Sequence, residues 1–139
     1  MENVLNKEML LKKEELEIVK VDLGKDEVVY VRQMTGRERD KFERSLVKED
    51  KAAKGGFTTC LDDFRAKLAV CTICDAQGNL LLAITDASIL SQHMSAARLE
   101  KIVNVAQSLN KITEEDKEGL LKNSEAGQPG SSVSDSVEN

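Results

Sequence analysis

Cys60, Cys71, Cys74 and His93 are the soft metal ligands of this chain, and two of them stand at C-x-x-C spacing in VCTICDAQGN, residues 70–79. Four such ligands make a Cys₃His zinc site arithmetically possible. Structural zinc sites usually join two short ligand knuckles, however, and here there is one. Cys71 also continues the spacing of Leu61, Phe64 and Leu68, a stripe on which a free cysteine behaves as a small hydrophobe. A redox dithiol wants the N-terminus of a helix, where the dipole lowers the thiol pKa. Residues 61–74 read as helix, so both cysteines fall in its last turn, where the negative end raises it. The expectation is buried thiols with no metal and no cofactor, followed by a turn at Asp75-x-x-Gly78.

Other chemistry is equally thin. The patterns G-x-S-x-G, G-x-x-x-x-G-K-[ST] and H-E-x-x-H are missing from the sequence. Lys54-Gly55-Gly56 runs into Phe-Thr-Thr, which is not a phosphate cradle, and DAQGN does not match a calcium loop. His93, in SQHMS, has no partner visible in sequence. No catalytic role is expected. Arg37, Lys41, Arg44, Lys48 and Lys51 are spaced 4, 3, 4 and 3, which draws a basic line down one side of a helix. It reads as a surface for an acidic partner or as a solvated face with Asp40–Arg44 and Arg39–Glu43 pairs. Without interleaved aromatic residues, nucleic acid is not an expected partner.

The elements that position these residues come from a chain of 139 residues, 40% hydrophobic and 32% charged, with a formal net charge of −5. That length suits one domain with a modest core. Aromatic residues make up 3%, so the core must be aliphatic. All 20 basic residues lie at or before Lys122, where 22 acids accompany them; nothing favours an anionic surface. No apolar run approaches the ~20 residues of a membrane span, and MENVLNKEMLLKKEE lacks a signal-peptide layout. With an odd number of cysteines, the expected location is the cytoplasm.

ELEIVKVDL alternates, GKDE supplies a turn and VVYVRQM is β-branched and aromatic, so residues 16–22 and 28–34 predict an antiparallel hairpin. Helices must cover one face of it. Thr35-Gly36-Arg37-Glu38 is a capping box for a helix running to about Glu49, with Phe42 and Leu46 as its apolar edge. KAAKGGFTT, residues 51–59, reads as a loop. After the 61–74 helix, Leu80–Ile84 suits a short strand and Thr85 or Asp86 caps a brief helix over 87–90. Ser95 caps the clearest amphipathic helix, with Leu99, Ile102, Val103, Ala106 and Leu109 on one face and Asn110 at its end. Thr113 caps a last short helix. NKEMLLKK could also be helical, in which case Met9, Leu10 and Leu11 would need burial. The fold class is α+β: an N-terminal antiparallel hairpin followed by four or five helices. Residues 1–123 form a single domain. SEAGQPGSSVSDSVEN, residues 124–139, reads as a disordered polar tail.

Four stretches in this order, VVYVRQMTGRERDKFE, RAKLAVCTICDAQGN, SAARLEKIVNVAQSLN and ITEEDKEGLLKN, resemble the tail assembly chaperones of long-tailed bacteriophages and prophages. The residues that carry the match are Arg32, Thr35, Gly36, Arg37, Glu38 and Arg39, then Arg65, Asp75 and Gly78, then Leu109, Asn110, Lys122 and Asn123. The resemblance covers roughly residues 16–123, and none of its motifs is catalytic. It implies a non-enzymatic factor that coats the tape-measure protein, helps recruit tail-tube subunits and is left out of the mature virion. It also implies a bacterial host cytoplasm, and a longer frameshifted product diverging after Asn123. Self-association is a further possibility. Partner-contacting candidates are Arg37, Lys41 and Arg44 on the basic line and Phe64, Leu68, Leu99, Ile102 and Val103 on the apolar stripes, although the simpler reading of each stripe is core. The alternatives are a tail component retained in the virion and a small nucleic-acid-binding regulator.

Overall fold

The computed structural model describes residues 2–112. The helix expected from Thr113, the domain end at Asn123 and the polar tail all lie outside the described residues. Within them the class is α+β. An arm carrying α1 (Lys7–Leu11) leads into β1 (Ile18–Gly24) and β2 (Glu27–Arg32). These strands pair antiparallel, with Val21 opposite Val29. Lys25 and Asp26 both take positive φ, the backbone a tight two-residue hairpin turn requires.

α2 (Gly36–Arg44) opens on the expected capping box: Thr35 Oγ1 accepts from the Glu38 amide, and Glu38 Oε1 accepts from the Thr35 amide. It stops five residues early. Val47–Glu49 (β3) instead pairs antiparallel with Phe57–Thr59 (β4), inside the stretch expected to be loop. Gly55 and Gly56, both at positive φ, close that second hairpin. Strands of three residues are too short to display a period in sequence.

α3 (Phe64–Val70) is likewise shorter than the expected 61–74 helix. The Thr72 hydroxyl donates to Leu68 O, and the next two residues, Ile73–Cys74 (β5), pair with Val31 and Tyr30 of β2. The sheet order is therefore β1-β2-β5. The strand expected at Leu80–Ile84 is reduced to one bridge, Leu80 with Cys74, before a 3₁₀ turn at Ile84–Asp86. α4 (Ala87–His93) comes next, but Asp86 caps no helical amide; its carboxylate accepts from the Ala83 amide instead. α5 (Ala96–Leu109) starts at Ser95, whose Oγ accepts from the Arg98 amide, and ends at Asn110.

α5 lies against β1, β2 and α3. Val21 and Leu23 of β1 and Val31 of β2 face Ile102, Val103 and Ala106, with Phe42, Leu46, Leu68 and Val70 completing the core. Phe42 meets Phe64 edge to face at 5.7 Å. α1 buries nothing: Met9, Leu10 and Leu11 are more than half exposed. Because Leu68 is fully buried, Leu68→Ala is expected to lower unfolding stability by about 2–5 kcal/mol in urea titration. Phe57→Ala, on an exposed hairpin, should stay within about 0.5 kcal/mol.

Candidate functional site

The residues singled out by sequence sort into a connected framework, a buried set and an exposed set. The framework centres on Arg32, at the end of β2, which is 6% exposed. Its Nη1 and Nη2 grip both oxygens of Glu38 at 2.8 Å, a two-pronged pairing that only guanidinium can make. Nε donates to Gly78 O and Nη1 also to Gln33 O, each at 2.7 Å. One side chain thus ties the sheet to the capping box of α2 and to the turn after β5. The Glu38 bond pushes the Arg32 pKa up against the opposing effect of burial. The same bond, assisted by the Thr35 amide, holds Glu38 below the usual carboxylate range.

The Gly78 turn is built by Asp75. Its Oδ1 accepts from the Gln77 and Asn79 amides, and its Oδ2 from the Asn79 side chain. These bonds, the Asn79 amide first, lower its pKa. Gly78 sits at φ +90°, and a Cβ there would stand 3.3 Å from Ile18 Cδ1. The positive φ favours glycine, and a Cβ would also crowd the Ile18 side chain by a few tenths of an ångström.

A second junction lies at the end of α5. Asn110 Oδ1 accepts from the Met34 amide at 2.7 Å, its Nδ2 donates to Ala106 O, and its carbonyl accepts from Arg39. Arg39 also pairs with Glu43, as expected from their spacing. Leu109 offers its carbonyl to Gln33. Arg65 stands apart, exposed, in a surface pair with Glu100. Arg37 is exposed and joins no junction. Nothing in the structure requires glycine at Gly36, where a Cβ would meet open space.

The apolar partner candidates are mostly core. Leu68, Leu99, Ile102 and Val103 are all buried, so they offer a partner no surface, and Phe64 is half-buried beside Phe42. The basic line is real but shorter: Arg37, Lys41 and Arg44 are exposed on α2, whereas Lys48 falls on β3 and Lys51 beyond it. The expected Asp40–Arg44 pair is absent among the described ion pairs. What sequence missed is the β3–β4 hairpin, which exposes Val47 and Phe57.

The cysteines are free and dispersed in role. Cys71 caps α3, Cys74 lies on β5, and both are buried; Cys60 is half-buried. The expectation that both close a helix is corrected by the early end of α3. Burial, with the Glu38 carboxylate adding to it, pushes the Cys71 thiol up to about 11. Cys74 is raised by burial too, against the neighbouring Arg32. Among the described residues no group of three His, Cys, Asp or Glu side chains is placed to hold a metal. None of the described helices is long and apolar enough to cross a membrane. Compared with known proteins, the chain matches no family model, no curated protein and no solved structure.

Glu38 titrates below its ordinary value of 4.5 in the fold, so its contribution is fully present above that value and is lost as pH falls through the depressed one. Urea titrations should therefore show wild type losing stability below about pH 4.5, with a flatter profile for Glu38→Gln. Arg32→Lys keeps the charge but not the fork, and should cost about 2–4 kcal/mol near neutral pH. In the native state at pH 8, an aromatic disulfide reagent should titrate Cys60 first; Cys71 and Cys74 should react only as the protein unfolds.

Proposed function

We propose that this protein is a non-enzymatic tail assembly chaperone of a long-tailed bacteriophage or prophage, binding the tape-measure protein and helping to recruit tail-tube subunits. The observation that carries the reading is the ordered pattern from Arg32 to Asn110. Its support from the fold is that Arg32, Thr35, Glu38, Asp75 and Gly78 meet at one junction, and Arg39, Leu109 and Asn110 at the next. Residues scattered over the sequence are held together by contact, as a family-defining framework would be.

On this reading the junction residues of the pattern are scaffold, and partner contacts fall to exposed side chains outside those junctions, Arg37 of the pattern among them. Arg37, Lys41 and Arg44 are the leading candidates: they are exposed, lie along α2, and make no ion pair among the described residues. A line of free cations on a rigid helix suits an acidic stretch of a partner protein and raises association rate as well as affinity. Neither a membrane nor a nucleic acid is required. The protein would act in the cytoplasm of the bacterial host.

The test is copurification of the tape-measure protein with this chain after co-expression. Arg37→Glu/Lys41→Glu/Arg44→Glu should lower the captured amount roughly tenfold or more, while the urea midpoint stays near wild type. Full capture by the triple variant would return the basic line to plain solvated surface. No capture by wild type would remove the chaperone reading itself.

A further inference from the structure

The sheet runs β1-β2-β5, so among the described residues β1 is an edge with no strand beyond it. Which backbone groups face that edge follows from the ladder with β2. Glu17 O accepts from the Gln33 amide across the ladder, whereas Arg32, opposite Ile18, turns its amide away onto Thr72 O. Opposed residues of an antiparallel pair alternate between exchanging hydrogen bonds and turning them outward. Val19 and Val21 therefore bond to β2, and the amides and carbonyls of Ile18, Lys20 and Asp22 point off the edge. An open run of this kind is a template for another strand.

Charge on an edge strand guards it against indiscriminate pairing, and this edge carries two charges of opposite sign. Val21 and Leu23 are buried in the core, while Lys20 and Asp22 are exposed on the other face. Neither joins an ion pair among the described residues. A second copy of β1 meets the first antiparallel about a two-fold axis, provided that outward-facing residues oppose one another. Centring on Lys20 sets lysine against lysine, and centring on Asp22 sets aspartate against aspartate. With Val19 at the centre, Lys20 faces Ile18. With Val21 at the centre, Lys20 of each copy faces Asp22 of the other. Of these registers, the last alone pairs every charge with its opposite.

We propose that β1 is a self-association surface: two copies join edge to edge, antiparallel about Val21, into one continuous sheet. Lys20 and the opposed Asp22 exchange backbone hydrogen bonds and face each other as side chains. Asp22 keeps Oδ1 on the Gly24 amide, which leaves Oδ2 for the lysine. On the core side Val19 lies opposite Leu23, so the apolar face continues across the axis. Opposite charges directly across a strand pair stabilise it and like charges destabilise it, which fixes both the partner and the register. The inference does not depend on the chaperone reading.

Sedimentation velocity of the full chain across a concentration series reads the pairing. Wild type should pass from monomer to dimer, and Lys20→Asp should raise the dissociation constant roughly tenfold with the urea midpoint unchanged. Asp22→Lys should do the same. An equimolar mixture of the two variants should restore a dimer, because each copy then offers a single sign. Asp22→Asn keeps an acceptor for the Gly24 amide and should give a milder loss, a reading that survives if charge reversal disturbs the turn. Hydrogen exchange on wild type is independent of any variant: the Lys20 and Asp22 amides should slow as concentration rises, while Val19 and Val21 stay protected throughout. A chain that is monomeric at every concentration would overturn the proposal. So would a dimer indifferent to both reversals, or one whose Lys20 and Asp22 amides exchange as fast as in the monomer.

Discussion

Burying a guanidinium obliges a fold to answer every one of its nitrogens, and that obligation organises this protein. Arg32 would be a costly charge in the interior were Nε, Nη1 and Nη2 not all engaged. The acceptors come from three places: the backbone after β2, the capping box of α2, and the Gly78 turn behind β5. Their directions are fixed by a planar fork, so the entry angle of α2 and the closure of the turn are set together. Such a pair contributes more to geometry than to net stability, because leaving Glu38 and two carbonyls without their donor is what the alternatives would cost. Asn110 then does for α5 what Arg32 does for α2, fastening a helix end to the Met34 amide with one short side chain.

Much of this was legible locally. The hairpin, the Thr35 capping box, the Ser95 cap and the Asn110 stop are each written in a few adjacent residues, and each is where the sequence places it. The errors share a cause. Leu61, Phe64, Leu68 and Cys71 keep a helical spacing, so the pattern carried the helix past Val70. What ended it was non-local, the pairing of Ile73 and Cys74 with β2. The β3–β4 hairpin was missed because its strands hold three residues each, and the apparent strand at Leu80–Ile84 had too little edge left to join. The apolar partner candidates follow the same logic: Leu68, Ile102 and Val103 are buried, apolar at helical spacing because they are core, and spacing alone does not separate a buried stripe from a docking face.

The two cysteines that first suggested chemistry are better explained by position. Cys71 closes α3 and Cys74 fills the short third strand, with both thiols pushed away from reactivity by burial. The aspartate and glycine just beyond them contribute more to the architecture, since Gly78 supplies the carbonyl that Arg32 needs. Arg32, Thr35, Glu38, Asp75 and Gly78 record how the scaffold closes, and a functional surface has to be sought among the exposed side chains of α2, the arm and the β3–β4 hairpin.

A chaperone works on the tail and is then left behind, whereas a structural component travels with the particle. Quantitative mass spectrometry of purified tailed particles beside the producing cells measures that difference directly. Abundant peptides of this chain in the cells and none at stoichiometric level in the particles is the result that the proposed chaperone reading predicts. A fixed number of copies in every particle would contradict it.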